Sequence, residues 1–493
     1  MAERLSNATL HRVPRDARPL IAPGSAGTGI VHLGVGAFHR AHQAVYTEAA
    51  IAAAGGDWAI AGVAPRRREL VDTLAGQDGL FSVTSLDGTH ERTRVVAVLN
   101  DIRHAPSDPA GVVALIADPD IKIVTLTVTE KAYLLDPATG ALMVTDPLRA
   151  ELTGQKPPSA VPALLALGLV ARARSAAGPI AIVSCDNLPS NGRLLRVAVG
   201  QALELIDEGP IDDFVAFPGT MVDRIVPAPT SAIREAASHA LGVRDDAAVA
   251  AEPYSEWIIE DRFPGGRPAW EAAGAVLTDD AGPYERLKLR ALNGVHSALA
   301  YLGGLAGCET ISDALRLPGM ADMLRRLLAD DVAPSLTPPP GVSVTEYGES
   351  VLERFANPAI GHRTAQVAMD GSQKLPQRLL HTIADRRATG AMPLWVALIL
   401  AAWMRYVGGR SDDGARLPLD DPLAQTIRAT LGRGDDPVDS LLALDQIFTT
   451  ELAGDDELRR TIAGWYTALE RHGTADVLAS MVSDSSGVQA LSN

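Results

Sequence analysis

Five short apolar runs, each followed by polar or helical text, set the first 280 residues apart from the rest of the chain. The first opens GIVHLGVGAFHRAHQAVYTEAAIAAAG at Gly29, a short strand, a glycine turn and then an Ala-rich helix. Trp58–Ala64 reads as a second buried strand, Val95–Leu99 as a third, and Ile121–Thr129 and Ile180–Cys185 as two more. Continuous apolar strands separated by helical stretches predict a mostly parallel sheet covered by helices on both faces. Residues 1–24, rich in Pro and Arg, predict an irregular arm. Beyond residue 280 the β-branched runs stop and helical periodicity takes over. Helices are expected at Tyr284–Gly303, Met320–Ala329, Val344–Ala356, Lys374–Ala388, Pro393–Tyr406 and Leu441–Glu451, with TPPPG (Thr337–Gly341) as a loop between two of them. The expected organisation is therefore an α/β domain at 1–280 and a mostly α-helical domain at 281–493, with no fixed-period repeat.

Composition narrows the function classes. A chain of 493 residues with 47% hydrophobic and 21% charged content is that of an ordinary globular protein of two or three domains. A formal charge of -16 with a pI near 5.1 argues against a nucleic-acid surface, which needs a basic face. The two cysteines, Cys185 and Cys308, support neither a disulfide framework nor a thiolate zinc site. Val161–Val170 and Met392–Met404 are the longest apolar runs, too short to span a bilayer, so no membrane association is expected. The opening MAERLSNATLHRVPRD has no apolar core of a secretory signal, and a cytoplasmic location is the expectation.

GVGAFHR (Gly34–Arg40) sits where a dinucleotide-binding fold places its phosphate turn. Gly34 would allow the tight turn and Gly36 the close approach of pyrophosphate to a helix N-terminus. His39 stands in the place of the usual third glycine, and a plain strand-to-helix turn would read the same way. The second strand, which in such folds commonly ends in an acidic ribose ligand, runs instead into Arg66, Arg67 and Arg68. Arginines there would accept a 2′-phosphate and admit NADP; a solvated basic turn is the alternative. TVTEKAY (Thr127–Tyr133) and SCDNLPSNG (Ser184–Gly192) both begin at strand C-termini, the edge at which open parallel sheets bind ligands. Asn187 could supply an amide to an oxyanion and Glu130 or Lys131 could line the same edge, although turn chemistry accounts equally for these residues. Asp223 carries the same ambiguity, as a partner for Arg224.

In the helical half, HRTAQVAMDGSQKLPQR gathers His362, Arg363, Lys374 and Arg378, a set suited to an anionic substrate group or, equally, to a solvated face. His39 and His42 lack further metal ligands nearby, and neither a G-x-S-x-G elbow nor a phosphate-loop G-x-x-x-x-G-K is present. A dehydrogenase working without zinc needs a protein base. The segment YERLKLRALNGVHSALAY (284–301) offers one. At ~100° per residue, with Lys288 at zero, Glu285 falls near ~60°, His296 near ~80° and Asn293 near ~140°, all on one face. Lys288 then becomes a candidate general base, Asn293 and His296 donors to a substrate oxygen, and Glu285 a proton outlet. An amphipathic helix with a wet polar face is the competing reading.

Nine segments taken together resemble the mannitol dehydrogenase family of polyol-specific long-chain dehydrogenases. They are GVGAFHRAHQ (34–43), QDGLF (77–81), TLTVTEKAY (125–133), SCDNLPSNG (184–192), FPGTMVDRIVP (217–227), EDRFPGGRPAW (260–270), PYERLKLRALNGVHSALAYLG (283–303), ERFANP (353–358) and DGSQKLPQR (370–378). They run in family order from about residue 30 to 410. The resemblance implies a Rossmann-like NAD-binding domain, a C-terminal helical domain, and metal-independent hydride transfer at a cleft between them. It implies Lys288 as the catalytic base, Asn187 and Asn293 as oxyanion-stabilising amides, His296 as a substrate-positioning histidine and Glu285 as a proton relay. Asp223 falls on a functional position of the family's MVDRI motif, and with the cationic cluster His362, Arg363, Lys374 and Arg378 it makes up the expected substrate-binding set. The cofactor-binding set is Gly34, Gly36, Phe38, His39, Arg40, Arg66, Asp78, Glu130 and Lys131.

Within the family, KLPQR, MVDRIVP and ERFANP…HRT resemble fructuronate reductases (D-mannonate oxidoreductases) more than mannitol 2-dehydrogenases. The cationic group at 362–378 gives this a physical reason, since a uronate carries a carboxylate that mannitol lacks. Ala132, Val295 and Ser255 depart from the family wording, and this keeps mannitol 2-dehydrogenase and arabinitol dehydrogenase open as alternatives. A nucleotide-binding protein that kept the fold without catalysis is a third. The expected partners are a small sugar acid or polyol and NAD, with NADP admitted by Arg66–Arg68, in a monomer or small homo-oligomer.

Overall fold

The computed structural model describes residues 3–88, 91–136, 139–209 and 213–483. The chain divides into two compact units between Gly282 and Pro283. In the first, six parallel strands lie in the order Leu99–His104, Ala59–Ala64, Thr28–Leu33, Ile123–Leu126, Ile180–Ser184 and Val215–Ala216. The order reverses direction beside the first strand, and this creates the switch point at which such sheets bind ligands.

Alternation along each strand feeds two separate cores. Ile30, Ile123, Ala181 and Val183 pack to one side with Ala44, Ala50 and Leu74 from helices Gln43–Ala54 and Arg68–Ala75. Val31, Val124, Leu126, Ile180 and Ile182 pack to the other with Val112, Leu165 and Leu195 from helices Pro109–Ile116, Val161–Ser175 and Asn191–Glu204. Full burial of each such aliphatic side chain contributes about 1.5–3 kcal/mol, so a continuous apolar strand is stable only when both faces are covered. That is why these runs do not alternate with polar residues.

Several sequence expectations need correction. Val95–Leu99 is not one strand. It spans the end of the antiparallel strand Glu91–Val96, which pairs with Phe81–Leu86 in a separate three-stranded sheet, and the start of Leu99–His104. The strands at Ile121–Thr129 and Ile180–Cys185 are trimmed to Ile123–Leu126 and Ile180–Ser184. The arm at 1–24 is anchored: Leu5 and Val13 are fully buried against Leu80, Val95 and Leu241. A further sheet, absent from the sequence expectations, joins Thr220–Asp223, Glu256–Glu260 and Val276–Thr278.

The described residues of the second unit, up to 483, form helices joined by loops, with two isolated β-bridges, Thr310 to Arg363 and Arg410 to Arg416. Its central helix, Leu394–Val407, is almost wholly buried, from Trp395 to Met404. Leu441–Glu451 is two helices, Pro437–Leu442 and Thr450–Ala453, because Thr449 turns its hydroxyl onto the Leu452 amide and begins a new N-cap. Three expected helices are interrupted by π-helical turns, at Lys288–Leu292, Leu327–Val332 and Pro376–Leu380. No helix among the described residues is long and apolar enough to cross a membrane.

Candidate active site

The glycine turn separates two tasks. Gly34 has φ 108°, and a Cβ built there would lie 2.1 Å from the Thr127 carbonyl oxygen. Only glycine fits, and the reason is strand packing. Gly36 is exposed, with its amide donating to the Gly34 carbonyl at 2.7 Å, and a Cβ there would meet nothing nearer than 3.9 Å. The space over Gly36 is therefore open at the switch point, where a pyrophosphate could approach backbone, so the turn fits a dinucleotide. Phe38, half-buried, stacks on His42 at 5.0 Å.

Two cofactor expectations, His39 and Arg40, are corrected at the level of the side chain. His39 is wholly buried, its ring stacked on His32 at 3.4 Å, and burial drives its pKa well below the ordinary value. Arg40 points inward to the Ala247 carbonyl and over the Phe81 ring. Both side chains are internal because a short helix, Ala37–Ala41, turns that face onto the sheet. Asp78, exposed in a left-handed turn at φ 54°, accepts the Asn7 amide at 2.9 Å on one carboxylate oxygen. Arg66 remains exposed at the end of the second strand, as do Glu130 and Lys131 on the short 3-10 turn Glu130–Tyr133.

At the end of strand Ile180–Ser184 the chain bends through Asp186 and the exposed Asn187. The Asp186 carboxylate accepts the Val128 amide at 3.1 Å, the Thr129 amide at 3.0 Å and the Tyr133 hydroxyl at 2.7 Å. Asn191 donates to the Asp186 carbonyl at 3.1 Å and exchanges bonds with Thr220. Nothing in the segment SCDNLPSNG singles Asp186 out for this bracing, since its partners lie 53 to 58 residues away in sequence. Asp223 is buried at the end of strand Thr220–Asp223; the Arg224 guanidinium donates to the carbonyls of Glu252 and Ala41.

In the helical unit, the expected continuous helix over 284–301 is α-helical at Gly282–Leu287, π-helical at Lys288–Leu292 and α-helical again at Asn293–Leu305. A π turn carries one additional residue, which winds everything after it back by about 100°. Asn293 moves from about 140° to about 40°, and His296 from about 80° to about -20°. The irregularity thus draws Asn293 and His296 closer to the azimuth of Lys288. All three are buried, at 6%, 8% and 6% exposed respectively, while Glu285 is half-buried. This overturns the wet-face alternative for Lys288, Asn293 and His296.

His296 is held between the ring of Phe355, stacked at 4.6 Å, and the edge of His362 at 4.8 Å. Burial, reinforced by His362, Arg378, Lys374 and Arg354, holds its pKa well below the ordinary value, so it is a neutral imidazole. Asn293 Nδ2, His296 Nε2 and His362 Nδ1 are buried and, among the described residues, have no hydrogen-bond partner. Such orphans are costly, and they cluster where a ligand would satisfy them.

Around them lie Lys374 and Arg378, from a helix resumed through the third π turn, Pro376–Leu380. Lys374 Nζ donates to the Met369 carbonyl at 2.5 Å, and burial lowers its pKa to about 8, with Arg378 adding to the effect. Arg378 donates to Ser297 Oγ at 3.1 Å and burial lowers its pKa too. Arg354, 8% exposed, belongs to this group and was not singled out from sequence, because it lies within the amphipathic helix Val344–Phe355. Arg363 does not join it: the side chain is exposed and paired with Glu309 at 3.0 Å. Position 363 is the N-cap of helix Thr364–Ala368 and its side chain makes no capping bond.

Comparison with known proteins adds the following. Residues 28–272 match the model of the mannitol dehydrogenase Rossmann domain, and residues 280–470 that of the mannitol dehydrogenase C-terminal domain. The D-mannonate oxidoreductase of Escherichia coli (strain K12) is 37% identical over 476 residues, 94% of this chain and 98% of that enzyme. The mannitol 2-dehydrogenase of Cereibacter sphaeroides is 37% identical over 461 residues, 91% of this chain and 95% of that enzyme. Among solved structures, the Pseudomonas fluorescens mannitol 2-dehydrogenase ternary complex with NAD and D-mannitol superposes with a TM-score of 0.85 at 34% identity, covering 98% of this chain and 100% of that one.

Proposed function

The chain belongs to the mannitol dehydrogenase family, and we propose that it is an NAD(H)-dependent oxidoreductase interconverting the secondary alcohol of a sugar acid and its ketone, with D-mannonate and D-fructuronate as the pair. The observation that carries the sugar acid over a neutral polyol is Arg378. Its side chain is half-buried, and among the described residues it makes one side-chain hydrogen bond, to Ser297, and no ion pair. A buried cation without an anionic partner is expensive, and a bidentate carboxylate is the ligand that offsets it best. Lys374 adds to the same positive field, while burial lowers the pKa of His362 and keeps its imidazole neutral.

The glycine turn and the exposed strand-end residues Glu130 and Lys131 would hold NAD, whose nicotinamide supplies or accepts the hydride when bound. The chain's own residues manage the proton and the charge. In reduction, Lys288 as ammonium donates a proton to the nascent alkoxide, and the amides of Asn187 and Asn293 stabilise the negative oxygen until it arrives. In oxidation Lys288 is neutral and takes the hydroxyl proton, which Glu285 relays outward. Neutral His296 donates from Nε2 to a substrate oxygen and so fixes which hydroxyl faces Lys288. Asp223 contributes to substrate binding.

Steady-state kinetics with fructuronate, fructose, mannonate, mannitol and arabinitol, each with both NADH/NAD and NADPH/NADP, test this reading. The expected result is a kcat/KM for fructuronate and mannonate at least about a hundredfold above that for the neutral compounds, as an unpaired buried charge would penalise them. A preference for mannitol and fructose would replace the sugar acid with a polyol. Nicotinamide binding without turnover on any compound would overturn the enzymatic reading.

A further inference from the structure

Thr129 is the most strained residue near the sheet's ligand-binding edge. Its backbone lies at φ 76° and ψ 155°, a region occupied essentially by glycine, and a β-branched side chain makes it worse. Such a conformation persists only where surrounding bonds over-determine it. Here one carboxylate does so. Asp186 takes the amides of Val128 and Thr129 on its two oxygens and the Tyr133 hydroxyl on one of them. Tyr133 also bonds Ser184 Oγ at 2.5 Å, and the Asp186 amide donates to the same oxygen at 3.3 Å. The network is closed: it ties the loop after strand Ile123–Leu126 to the end of strand Ile180–Ser184. Glu130 and Lys131 directly follow the strained residue, and Asn187 directly follows the carboxylate.

We propose that Asp186 is a positioning residue for catalysis, acting by clamping Thr129 in its strained conformation and thereby fixing the two strand-end loops that carry Glu130, Lys131 and Asn187. The inference rests on the role given above to Asn187. The Asp186 side chain touches neither substrate nor proton in this scheme. Its work is to keep an amide and a cofactor-facing loop in one relative geometry, where a displacement of about 1 Å costs about a hundredfold in rate.

The strain supplies its own test, because glycine adopts the Thr129 conformation without penalty. Asp186→Asn keeps the shape but turns one acceptor oxygen into a donor. It is expected to lower kcat by about tenfold to a hundredfold, with a smaller effect on KM. Thr129→Gly, at a residue with no proposed chemical role, is expected to stay within about threefold of wild type. The double variant Asp186→Asn with Thr129→Gly is expected to recover about tenfold of the lost kcat, because the loop no longer needs clamping. A purely structural role for Asp186 would give no such rescue. Should Asp186→Asn fail to fold, Tyr133→Phe removes one of the three bonds and is expected to show a smaller loss with the same rescue. A double variant no better than Asp186→Asn overturns the proposal. Asn187→Ala separates this from the reading beneath it. Lost turnover in Asn187→Ala with wild-type kcat in Asp186→Asn overturns the clamp alone, and wild-type kcat in both overturns the role of Asn187 as well.

Discussion

His296 lies face to face with Phe355, ring centroids 4.6 Å apart and planes 24° from parallel. An apolar ring on one face, together with burial and four nearby cationic or imidazole groups, makes protonation of His296 unfavourable. The imidazole therefore stays neutral through the physiological range and cannot be the group that exchanges a proton with substrate. What it offers is a fixed N–H direction. In the proposed mechanism the proton is therefore assigned to Lys288, and Lys374, with its pKa lowered to about 8, is the group whose titration bears on anion binding.

Lys374 predicts the pH dependence of substrate affinity. Its pKa is lowered to about 8 by burial and by Arg378. The ammonium form, which attracts a carboxylate, is present below that value and is lost as pH rises through it. KM for a sugar acid is expected to rise above about pH 8, and Lys374→Arg, whose guanidinium does not titrate there, should remove that inflection. A flat KM profile from pH 7 to 9.5 in the wild type would show that Lys374 does not face the carboxylate.

The two glycines of the turn should fail in different ways. Gly34→Ala places a methyl 2.1 Å from the Thr127 carbonyl at φ 108°, so its expected defect is in folding, read as a fall in Tm or in soluble yield. Gly36→Ala meets no steric block, at φ -65° and ψ -175°, and should keep Tm near wild type. Its methyl would instead occupy the approach to the helix N-terminus, raising the Kd for NADH by about tenfold or more, measured by titration of cofactor fluorescence. Equal Kd values for Gly36→Ala and wild type would move the pyrophosphate elsewhere.

Much of this was readable from residue order, and the failures share a cause. Strands such as Ile180–Ser184 are legible because burial on both faces demands an unbroken apolar run. The hairpin of Phe81–Leu86 and Glu91–Val96 is not, because its outer strand begins ERTR and looks like solvated loop. The π turns leave no compositional mark, since they are a slip of one hydrogen-bond register, yet the turn at Lys288–Leu292 resets the face on which Asn293 and His296 sit. His39 and Arg40 misled in the opposite sense: polar residues after a glycine turn read as ligand contacts, whereas a short helix rolls them inward. Arg363 and Arg378, similar in sequence context, separate only in three dimensions, one paired at the surface and one half-buried without an anion among the described residues.

Glu48 gives a stability prediction independent of catalysis. It is 1% exposed, accepts the Ala97 amide at 2.6 Å, and burial raises its pKa from 4.5 to about 7. A raised carboxyl pKa means the folded state holds the proton that the unfolded chain releases. The associated stability is full below about pH 4.5 and is lost as pH rises through 7, a difference of about 3 kcal/mol. Glu48→Gln should flatten the wild-type decline in unfolding free energy across that window, measured by urea melts at fixed pH. Identical slopes in the two proteins would mean that Glu48 does not titrate there.

Lys288 is the proposed proton-transfer residue, and two substitutions separate its charge from its proton. Lys288→Ala removes both, and a positioned general acid–base group contributes about 10²–10⁴ in rate, so kcat should fall by about a thousandfold. Cofactor affinity should change by less than about threefold, because the glycine turn and strand ends that would hold NAD belong to the other compact unit. Lys288→Arg keeps a cation in a buried position but cannot release its proton. If Lys288 served only to stabilise negative charge, arginine would restore much of the rate; if it transfers the proton, Lys288→Arg should be as slow as Lys288→Ala. Small primary amines added to Lys288→Ala should recover part of kcat in proportion to their free-base fraction in the oxidative direction. Single-turnover absorbance of NADH at saturating substrate reads all three. Wild-type-like kcat in Lys288→Ala would remove Lys288 from the mechanism, whatever the fate of the other residues on its face.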